Sequence, residues 1–280
     1  MSQPSAKLLH HDPVWKEIRD AASALTASEP VLATLLYAAV LNQARLEDAL
    51  AYQLAQRLST VETPALAVQQ LIEAAFQDDP EIGAALRSDL VAVYERDPAC
   101  KSYLEPLLYF KGFHALQGYR IANWLLRKGR RGLALYLQSR ISEVFAVDIN
   151  PAARIGRGIL IDHGTGVVIG ETAVIEDGVS LLQGVTLGGT GKETGDRHPK
   201  VRKGSLIGAN ATVLGNIEIG ECARVGGGSV VLINVPAHCT AAGVPAKIVG
   251  CAGADVPGSE MEQKFDCGEA ADPANSGTAW

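Results

Sequence analysis

The feature that most constrains the fold is a six-residue repeat in the second half of the chain. A fixed period of this kind indicates stacked, repeating structural units. The repeated aliphatics are Ile149, Ile155, Ile161, Ile169, Ile175, Leu181, Leu187, Val201, Ile207, Val213, Ile219, Val225 and Val231. This pattern predicts a triangular parallel β-helix with three short strands per coil. Each aliphatic should point inward and stack on its counterpart one coil later.

Glycine often follows directly after a repeated aliphatic. These glycines are Gly156, Gly170, Gly188, Gly208, Gly220 and Gly226. We expect them at the corners of the coils, where a positive φ is needed and a side chain would obstruct the turn.

Two interruptions of the repeat carry polar side chains. Asp162 and His163 stand where the repeat slips by two residues. The stretch "GGTGKETGDRHPK", residues 188–200, is too long for one repeat, so we predict a loop that ends with Arg197 and His198. Functional residues commonly lie on loops that a rigid scaffold holds. The two interruptions are therefore the candidate functional positions.

The first half of the chain has a different composition. All the aromatic residues lie outside residues 149–250, whereas 20 of the 29 glycines lie inside that range. Asp12-Pro13, Thr63-Pro64 and Asp79-Pro80 each resemble a helix start with a capping side chain before proline, and apolar residues follow at helical spacing. We predict a helical domain over residues 1–147, a β-helix over 148–250 and a flexible tail over 251–280.

Composition also excludes several classes of function. A net charge of -6 gives no general attraction for nucleic acid or for an anionic membrane. The chain has no apolar run long enough to span a bilayer. The five cysteines show no zinc-binding spacing, so we expect no metal and a reducing, cytoplasmic environment. The helical half could form a self-contained bundle or pair with another subunit.

Several motifs together resemble one enzyme family. They are "VDINPAARIGRGILIDHGTGVVIGETAVI", "GVTLGGTGKETGDRHPK" and "AAGVPAKIVG", with "RDPAC" and "LLYFKGFHALQGYRIA" in the helical half. Together they resemble the serine O-acetyltransferases of cysteine biosynthesis over about residues 85–250. The resemblance implies an α+β protein with a left-handed β-helix, although parallel crossovers are usually right-handed. It also implies acetyl transfer from acetyl-CoA to the hydroxyl of L-serine.

The same resemblance implies roles for the polar residues. A serine hydroxyl needs a base to take its proton, and an imidazole suits this task near neutral pH. His163 would be that base, and Asp148 would orient and stabilise its ring. Asp97 and Asp162 would hold the amino acid, Arg197 would bind its carboxylate, and His198 would be a second binding or acid/base group. The spacing of Asp148 and His163 does not itself establish contact.

Further family features concern CoA, assembly and regulation. Gly189 and Ala209 would contact the pantetheine, and Arg224 and Lys247 would meet the phosphates. The β-helices would form trimers, in this family usually two trimers joined as a hexamer, with the 188–200 loop completing a neighbour's site. L-Cysteine would inhibit at the serine site. A C-terminal tail ending in isoleucine often binds O-acetylserine sulfhydrylase, but this chain ends in Trp280, and we expect weak or absent binding.

Three alternatives remain open from the sequence. A β-helix acetyltransferase could use another hydroxyl acceptor, such as a sugar or an antibiotic. A γ-type carbonic anhydrase would need three histidines around zinc, but Lys203 stands where the third is expected. A non-catalytic β-helix would leave the pairing of Asp162-His163 with Arg197-His198 unexplained.

Overall fold

The computed structural model describes residues 12–191, 194–251 and 256–261. A helical region precedes a parallel β-helix, which confirms the predicted class. From residue 12 onward, eight α-helices come first: α1 (Pro13–Ser28), α2 (Ala33–Leu36), α3 (Leu46–Leu58), α4 (Ala65–Asp78), α5 (Pro80–Arg96), α6 (Leu104–Leu108), α7 (Lys111–Arg127) and α8 (Arg131–Phe145). A 3₁₀ turn (Pro30–Leu32) and a π-helical turn (Tyr37–Leu41) flank α2.

Two of the three predicted helix starts are confirmed. The carboxylate of Asp12 accepts a hydrogen bond from the Trp15 amide at 3.2 Å, and Pro13 is the first residue of α1. Asp79 caps α5 in the same way through the Glu81 amide. The third prediction is wrong. Pro64 itself is the extended residue before α4, so Thr63 lies one position too early to cap it.

The β-helix contains fourteen parallel strands and one returning strand among the described residues. They are β1 (Val147–Ile149), β2 (Arg154–Ile155), β3 (Leu160–Ile161), β4 (Val167–Ile169), β5 (Val174–Ile175), β6 (Ser180–Leu181), β7 (Thr186–Gly188), β8 (Lys200–Val201), β9 (Leu206–Ile207), β10 (Thr212–Leu214), β11 (Glu218–Ile219), β12 (Arg224–Val225), β13 (Val230–Val231), β14 (Cys239–Gly243) and β15 (Ala246–Cys251). Up to β13 every third strand joins the same sheet, and β14 and β15 then extend the third sheet. The orders are β1-β4-β7-β10-β13, β2-β5-β8-β11 and β3-β6-β9-β12-β14-β15.

The strand register stacks the repeated aliphatics as the sequence predicts. Ile149 pairs with Ile169 and Ile169 with Leu187 in the first sheet. All thirteen residues of the repeat occupy such pairs, in all three sheets. The first coil is two residues longer than the second, which places the extra residues at the turn after β3.

The glycines of the repeat are needed for a different reason from the one expected. Their φ angles are not positive, so the prediction on this point is wrong. A Cβ on Gly208 would lie 2.6 Å from the Gly227 amide nitrogen, and one on Gly156 would lie 2.8 Å from the Asp177 nitrogen. Close approach of the next coil, rather than left-handed backbone, therefore selects glycine here.

A glycine substitution tests this close packing. We expect Gly220→Ala to destabilise the protein by about 1–3 kcal/mol, because the new methyl group would lie 2.7 Å from the backbone carbon of Pro236. The control is Gly250→Ala, since a Cβ at Gly250 meets no atom within 4 Å. Urea unfolding of both variants checks the prediction, and equal stability of the two would contradict it.

A buried ion pair joins the helices to the β-helix. Asp89 of α5 is fully buried and accepts hydrogen bonds from Arg120 at 2.7 Å and Gln117 at 2.8 Å, both on α7. Its other oxygen accepts the backbone amide of Ile159, just before β3, at 3.0 Å. Arg120 also donates to the carbonyl of Gly156. These bonds fix the position of α5 relative to the coil that contains β3.

The last coil ends in an antiparallel hairpin, β14 and β15. A disulfide joins Cys239 to Cys251 across it, whereas Cys100 and Cys222 are free and buried. The spacing of the cysteines does not predict this pairing, and the reducing environment expected from the sequence does not favour it. Strand register explains it, since Cys239 and Cys251 stand directly opposite each other.

Part of the predicted tail packs on the β-helix. A four-residue helix, α9 (Pro257–Glu260), places Gly258 against it, where the Gly258 amide donates to Gly204 and its carbonyl accepts from the Ser180 hydroxyl at 2.6 Å. Trp280 lies outside the described residues. In the described ranges no helix has the length and apolar character needed to cross a membrane.

Candidate active site

The turn after β3 presents two of the predicted site residues. Asp162 follows the buried Ile161, and His163 has a left-handed backbone with φ of 55°. The His163 side chain is 73% exposed, so its ring is accessible to a substrate. A left-handed backbone at a non-glycine residue is uncommon and persists only where its surroundings fix it. The turn therefore holds the His163 imidazole where a substrate can reach it.

A cavity of about 400 Å³ lies between this turn and the helices. It brings Asp97, at the end of α5, together with Asp162 and His163, and Lys111 at the start of α7 also lines it. The Lys111 ammonium donates to the hydroxyl of Thr165, in the same turn. The structure therefore brings three predicted site residues from distant parts of the sequence into one pocket.

The electrostatics of this cavity suit a cation. Burial raises the pKa of Asp162, and the nearby charge of Asp97 raises it further, while His163 opposes the rise. Two carboxylates that repel each other are stabilised when a positive group binds between them. The Asp162 carboxylate lies 3.7 Å from Nε2 of His163, so a bound ammonium group would lie beside the imidazole.

Asp148 lies on β1, which pairs with β4, the strand that follows the Asp162-His163 turn. It does not line this cavity. Its carboxylate accepts a hydrogen bond from the side-chain amide of Gln138, on α8, at 2.7 Å. The amide of Gly166 donates to the carbonyl of Ala146 at 2.8 Å, which draws the turn containing His163 alongside β1. Sequence reasoning missed Gln138, because only the packing of α8 on β1 reveals this contact.

Arg197 and His198 lie at a different corner of the triangular β-helix. The Asp162-His163 turn connects the third sheet to the first, whereas Arg197 and His198 precede β8 and lie between the first sheet and the second. Arg197 pairs with Glu171 at 2.7 Å, and His198 is 7% exposed. Within one chain the structure does not bring these two residues to the cavity.

The predicted CoA-binding residues are similarly distributed. Gly189 lies next to Arg197, and Ala209 accepts a hydrogen bond from the Gly228 amide at 2.7 Å at the corner after the third sheet. Arg224 and the exposed Lys247 lie on the third sheet, in β12 and β15. One chain therefore does not gather Gly189 with the other three residues.

Comparison with known proteins places this arrangement in a family. Residues 14–118 match the family described as serine acetyltransferase, N-terminal, and residues 198–232 match bacterial transferase hexapeptide (six repeats). A serine acetyltransferase from Salmonella typhimurium is 56% identical over 253 residues, which cover 90% of this chain and 93% of that protein. The chain belongs to the serine acetyltransferase family.

Solved structures agree with this family membership. A serine acetyltransferase from Brucella abortus in complex with coenzyme A has a TM-score of 0.87 and 51% identity, covering 89% of this chain and 100% of that one. A serine acetyltransferase in complex with cysteine has a TM-score of 0.89 and 53% identity, covering 90% and 98%. Membership in the family makes the chain an acyltransferase and decides against the carbonic anhydrase-like and non-catalytic alternatives.

His114 does not line the cavity that contains Asp97, Asp162 and His163. It is fully buried on α7, where Nε2 bonds the carbonyl of Leu107 at 2.8 Å, and Nδ1 has no partner. Burial lowers the pKa of His114 from 6.5 to about 4. His114 is therefore a packing and hydrogen-bonding residue of the helical region.

The buried His114 should make folding stability depend on pH. Because its pKa is lower in the folded protein than in the unfolded chain, its neutral form stabilises the fold above about pH 6.5, and this is lost as the pH falls towards 4. Between pH 7 and pH 5, we expect the free energy of unfolding of wild type to fall by about 2 kcal/mol more than that of His114→Phe. Chemical denaturation at each pH measures the difference.

A packing variant separates this effect from a general weakening of the core. Phe145 packs against the His114 ring with centroids 5.7 Å apart but cannot titrate. Phe145→Leu should be less stable than wild type by the same amount at every pH. If the free energy of unfolding of His114→Phe falls with pH as steeply as that of wild type, His114 does not cause the acid sensitivity.

Proposed function

We propose that the protein transfers the acetyl group of acetyl-CoA to the hydroxyl of L-serine, giving O-acetyl-L-serine and CoA, the first step of cysteine biosynthesis. The observation that carries this proposal is the cavity that places Asp97 and Asp162 beside His163. Two carboxylates suit the ammonium group of an amino acid, and the adjacent imidazole suits its hydroxyl. Relatives named serine acetyltransferase, at 56% identity, support the same substrate.

In the proposed reaction His163 acts as the general base. Its imidazole takes the hydroxyl proton while the serine oxygen attacks the carbonyl carbon of the thioester. The tetrahedral intermediate collapses with cleavage of the carbon–sulfur bond, and the imidazolium returns the proton to the CoA sulfur. Asp148, held by Gln138, would stabilise the imidazolium and fix the ring orientation.

We propose that a second copy of the chain completes the site. Arg197 would bind the substrate carboxylate with its forked donors, and His198 would be a second binding or acid/base group. Both lie at another corner of the β-helix, which supports a site shared between neighbouring β-helices of a trimer. The helical region would join two trimers into a hexamer.

The CoA contacts rest on the same arrangement. Gly189 of one copy and Ala209, Arg224 and Lys247 of the next would line a groove for the extended co-substrate, with the two cations towards its phosphates. The Brucella abortus relative solved with coenzyme A supports CoA binding by this chain. Use of acetyl-CoA, an intracellular metabolite, supports the predicted cytoplasmic location.

L-Cysteine should inhibit by occupying the serine position. It shares the ammonium and carboxylate of serine, so Asp97, Asp162 and Arg197 would bind both, and the relative solved with cysteine supports this. The weak or absent binding predicted for O-acetylserine sulfhydrylase concerns Trp280, which lies outside the described residues, so it stays a prediction.

An acceptor panel tests the proposed function. Release of the CoA thiol is measured with acetyl-CoA and L-serine, D-serine, L-homoserine, a hexose or no acceptor. We expect rapid release with L-serine and only background release with the hexose and without acceptor. Equal release with the hexose and L-serine would overturn the assignment of the substrate.

A further inference from the structure

Thr172 makes several hydrogen-bond contacts with His198, through both its backbone amide and its hydroxyl group. Its backbone amide donates to Nδ1 of the imidazole at 3.2 Å, and its hydroxyl oxygen lies 2.8 Å from the same nitrogen. The hydroxyl oxygen also accepts the backbone amides of Arg197 at 3.0 Å and His198 at 3.1 Å. One threonine thus fixes both the end of the 188–200 loop and one edge of the imidazole ring.

These contacts determine which ring nitrogen carries the proton. A backbone amide can only donate, so Nδ1 of His198 must accept from Thr172. Two amides occupy the lone pairs of the Thr172 hydroxyl oxygen, so that oxygen does not accept from Nδ1, and its single proton faces Nδ1 and the Asp196 carboxylate. A proton on Nδ1 would face donors only. The neutral ring therefore carries its proton on Nε2.

The surroundings hold the ring in this position. A Cβ on Gly170 would lie 2.8 Å from Cγ of His198, so the imidazole packs directly on the glycine backbone. The ammonium of Lys200 donates to the carbonyls of Thr172 at 3.1 Å and His198 at 2.5 Å, and to Asp196 at 2.6 Å. A flip of the ring would break both Nδ1 contacts with Thr172, while Lys200 holds the backbone carbonyls of Thr172 and His198.

We propose that Thr172 is a positioning residue that holds His198 as a neutral hydrogen-bond donor through Nε2, rather than as an acid or base. The role of that donor rests on the proposed function, in which it would stabilise an anionic oxygen of the reacting complex. The two site histidines then have separate tasks. His163 moves the proton, and His198 donates a fixed hydrogen bond.

The charges around His198 agree with a neutral ring. Burial lowers the pKa of His198, and the Arg197 guanidinium lowers it further. Lys200 acts in the same direction, whereas Glu171 and Asp196 oppose it. Glu171 is itself paired with Arg197, and Asp196 with Lys200, so a cation offsets each carboxylate near the imidazole.

Histidine ¹⁵N NMR tests the protonation state without reference to activity. The full-length protein is labelled at histidine nitrogens, and His198 is assigned from the signals that disappear in His198→Asn. We expect a neutral ring protonated on Nε2 at pH 7, because the pKa of His198 is lowered from its ordinary value. A charged ring or an Nδ1 proton at pH 7 would overturn the proposal, even if the proposed substrate is correct.

Kinetics of paired variants test the donor role. Glutamine places an N–H near the position of Nε2 but cannot act as an acid or base, whereas asparagine is too short to do so. We expect His198→Gln to keep kcat about tenfold above His198→Asn, the difference that one hydrogen bond makes. Equal losses in the two variants would contradict a donor role.

Thr172→Val keeps the branched shape but removes the hydroxyl. We expect it to lower kcat by about three- to tenfold and to shift the Nδ1 resonance of His198 in the NMR spectrum, because the backbone amide remains as the only Thr172 donor to that nitrogen. Thr26→Val is the control, because it removes a hydroxyl that bonds the Ala22 carbonyl on α1, away from the site. If Thr172→Val keeps wild-type kcat and an unchanged Nδ1 resonance, the Thr172 hydroxyl does not position His198.

Discussion

Replacing His163 by asparagine should lower kcat by about 10²- to 10⁴-fold while the Kd for CoA stays unchanged. The amide cannot take a proton from the serine hydroxyl, so only positioning and binding would remain. Asparagine is the informative substitution because it tolerates the left-handed backbone at φ of 55°. Steady-state kinetics and calorimetry with CoA measure the two quantities.

His238→Asn is a matched control for this loss. His238 is exposed on the same β-helix and also has a left-handed backbone, with φ of 58°. It should keep wild-type kcat. Asp148→Asn should lose less than His163→Asn, because the imidazole remains. Near-normal turnover in His163→Asn would exclude this residue as the base.

Asp89→Ala should destabilise the fold by about 3–5 kcal/mol. The change leaves the Arg120 guanidinium largely buried without its carboxylate and the Ile159 amide without its acceptor. Asp89 lies on α5, the helix that ends at Asp97, and contacts the segment that leads to Asp162. We therefore expect the KM for serine to rise together with the loss of stability.

An exposed ion pair provides the comparison for Asp89. Lys16 and Asp20 pair at 2.6 Å on α1, with 78% and 64% of their side chains exposed. Asp20→Ala should lower the free energy of unfolding far less than Asp89→Ala, since water replaces the lost contact. Chemical denaturation compares the two variants. If Asp89→Ala costs no more than Asp20→Ala, the buried pair does not join the two parts of the protein.

The stacking of the β-helix could be predicted because one rule acts at every repeat. Ile149, Ile169 and Leu187 must each fill the same interior position in successive coils, so their spacing in the sequence carries the register. The reason for the glycines could not be predicted in the same way. Whether Gly208 needs a positive φ or a close neighbour depends on the path of the next coil.

The candidate site was predictable only in part. Asp162, His163 and Asp97 were found through motifs, and the structure brings them into one cavity. Gln138 and Thr172 carry no comparable signal, because a lone glutamine on a helix or a threonine after a glutamate is common on protein surfaces. Their contacts with Asp148 and His198 exist only once α8 packs on β1 and the long loop returns to the coil.

The division of the catalytic groups between two copies of the chain is tested most directly by mixing two inactive variants. His163→Asn and His198→Ala carry different affinity tags, are expressed together, and the mixed oligomers are purified through both tags. If each site combines His163 of one copy with His198 of another, about a quarter of the sites regain both residues and activity returns. Activity that stays at the level of the separate inactive variants would contradict a shared site.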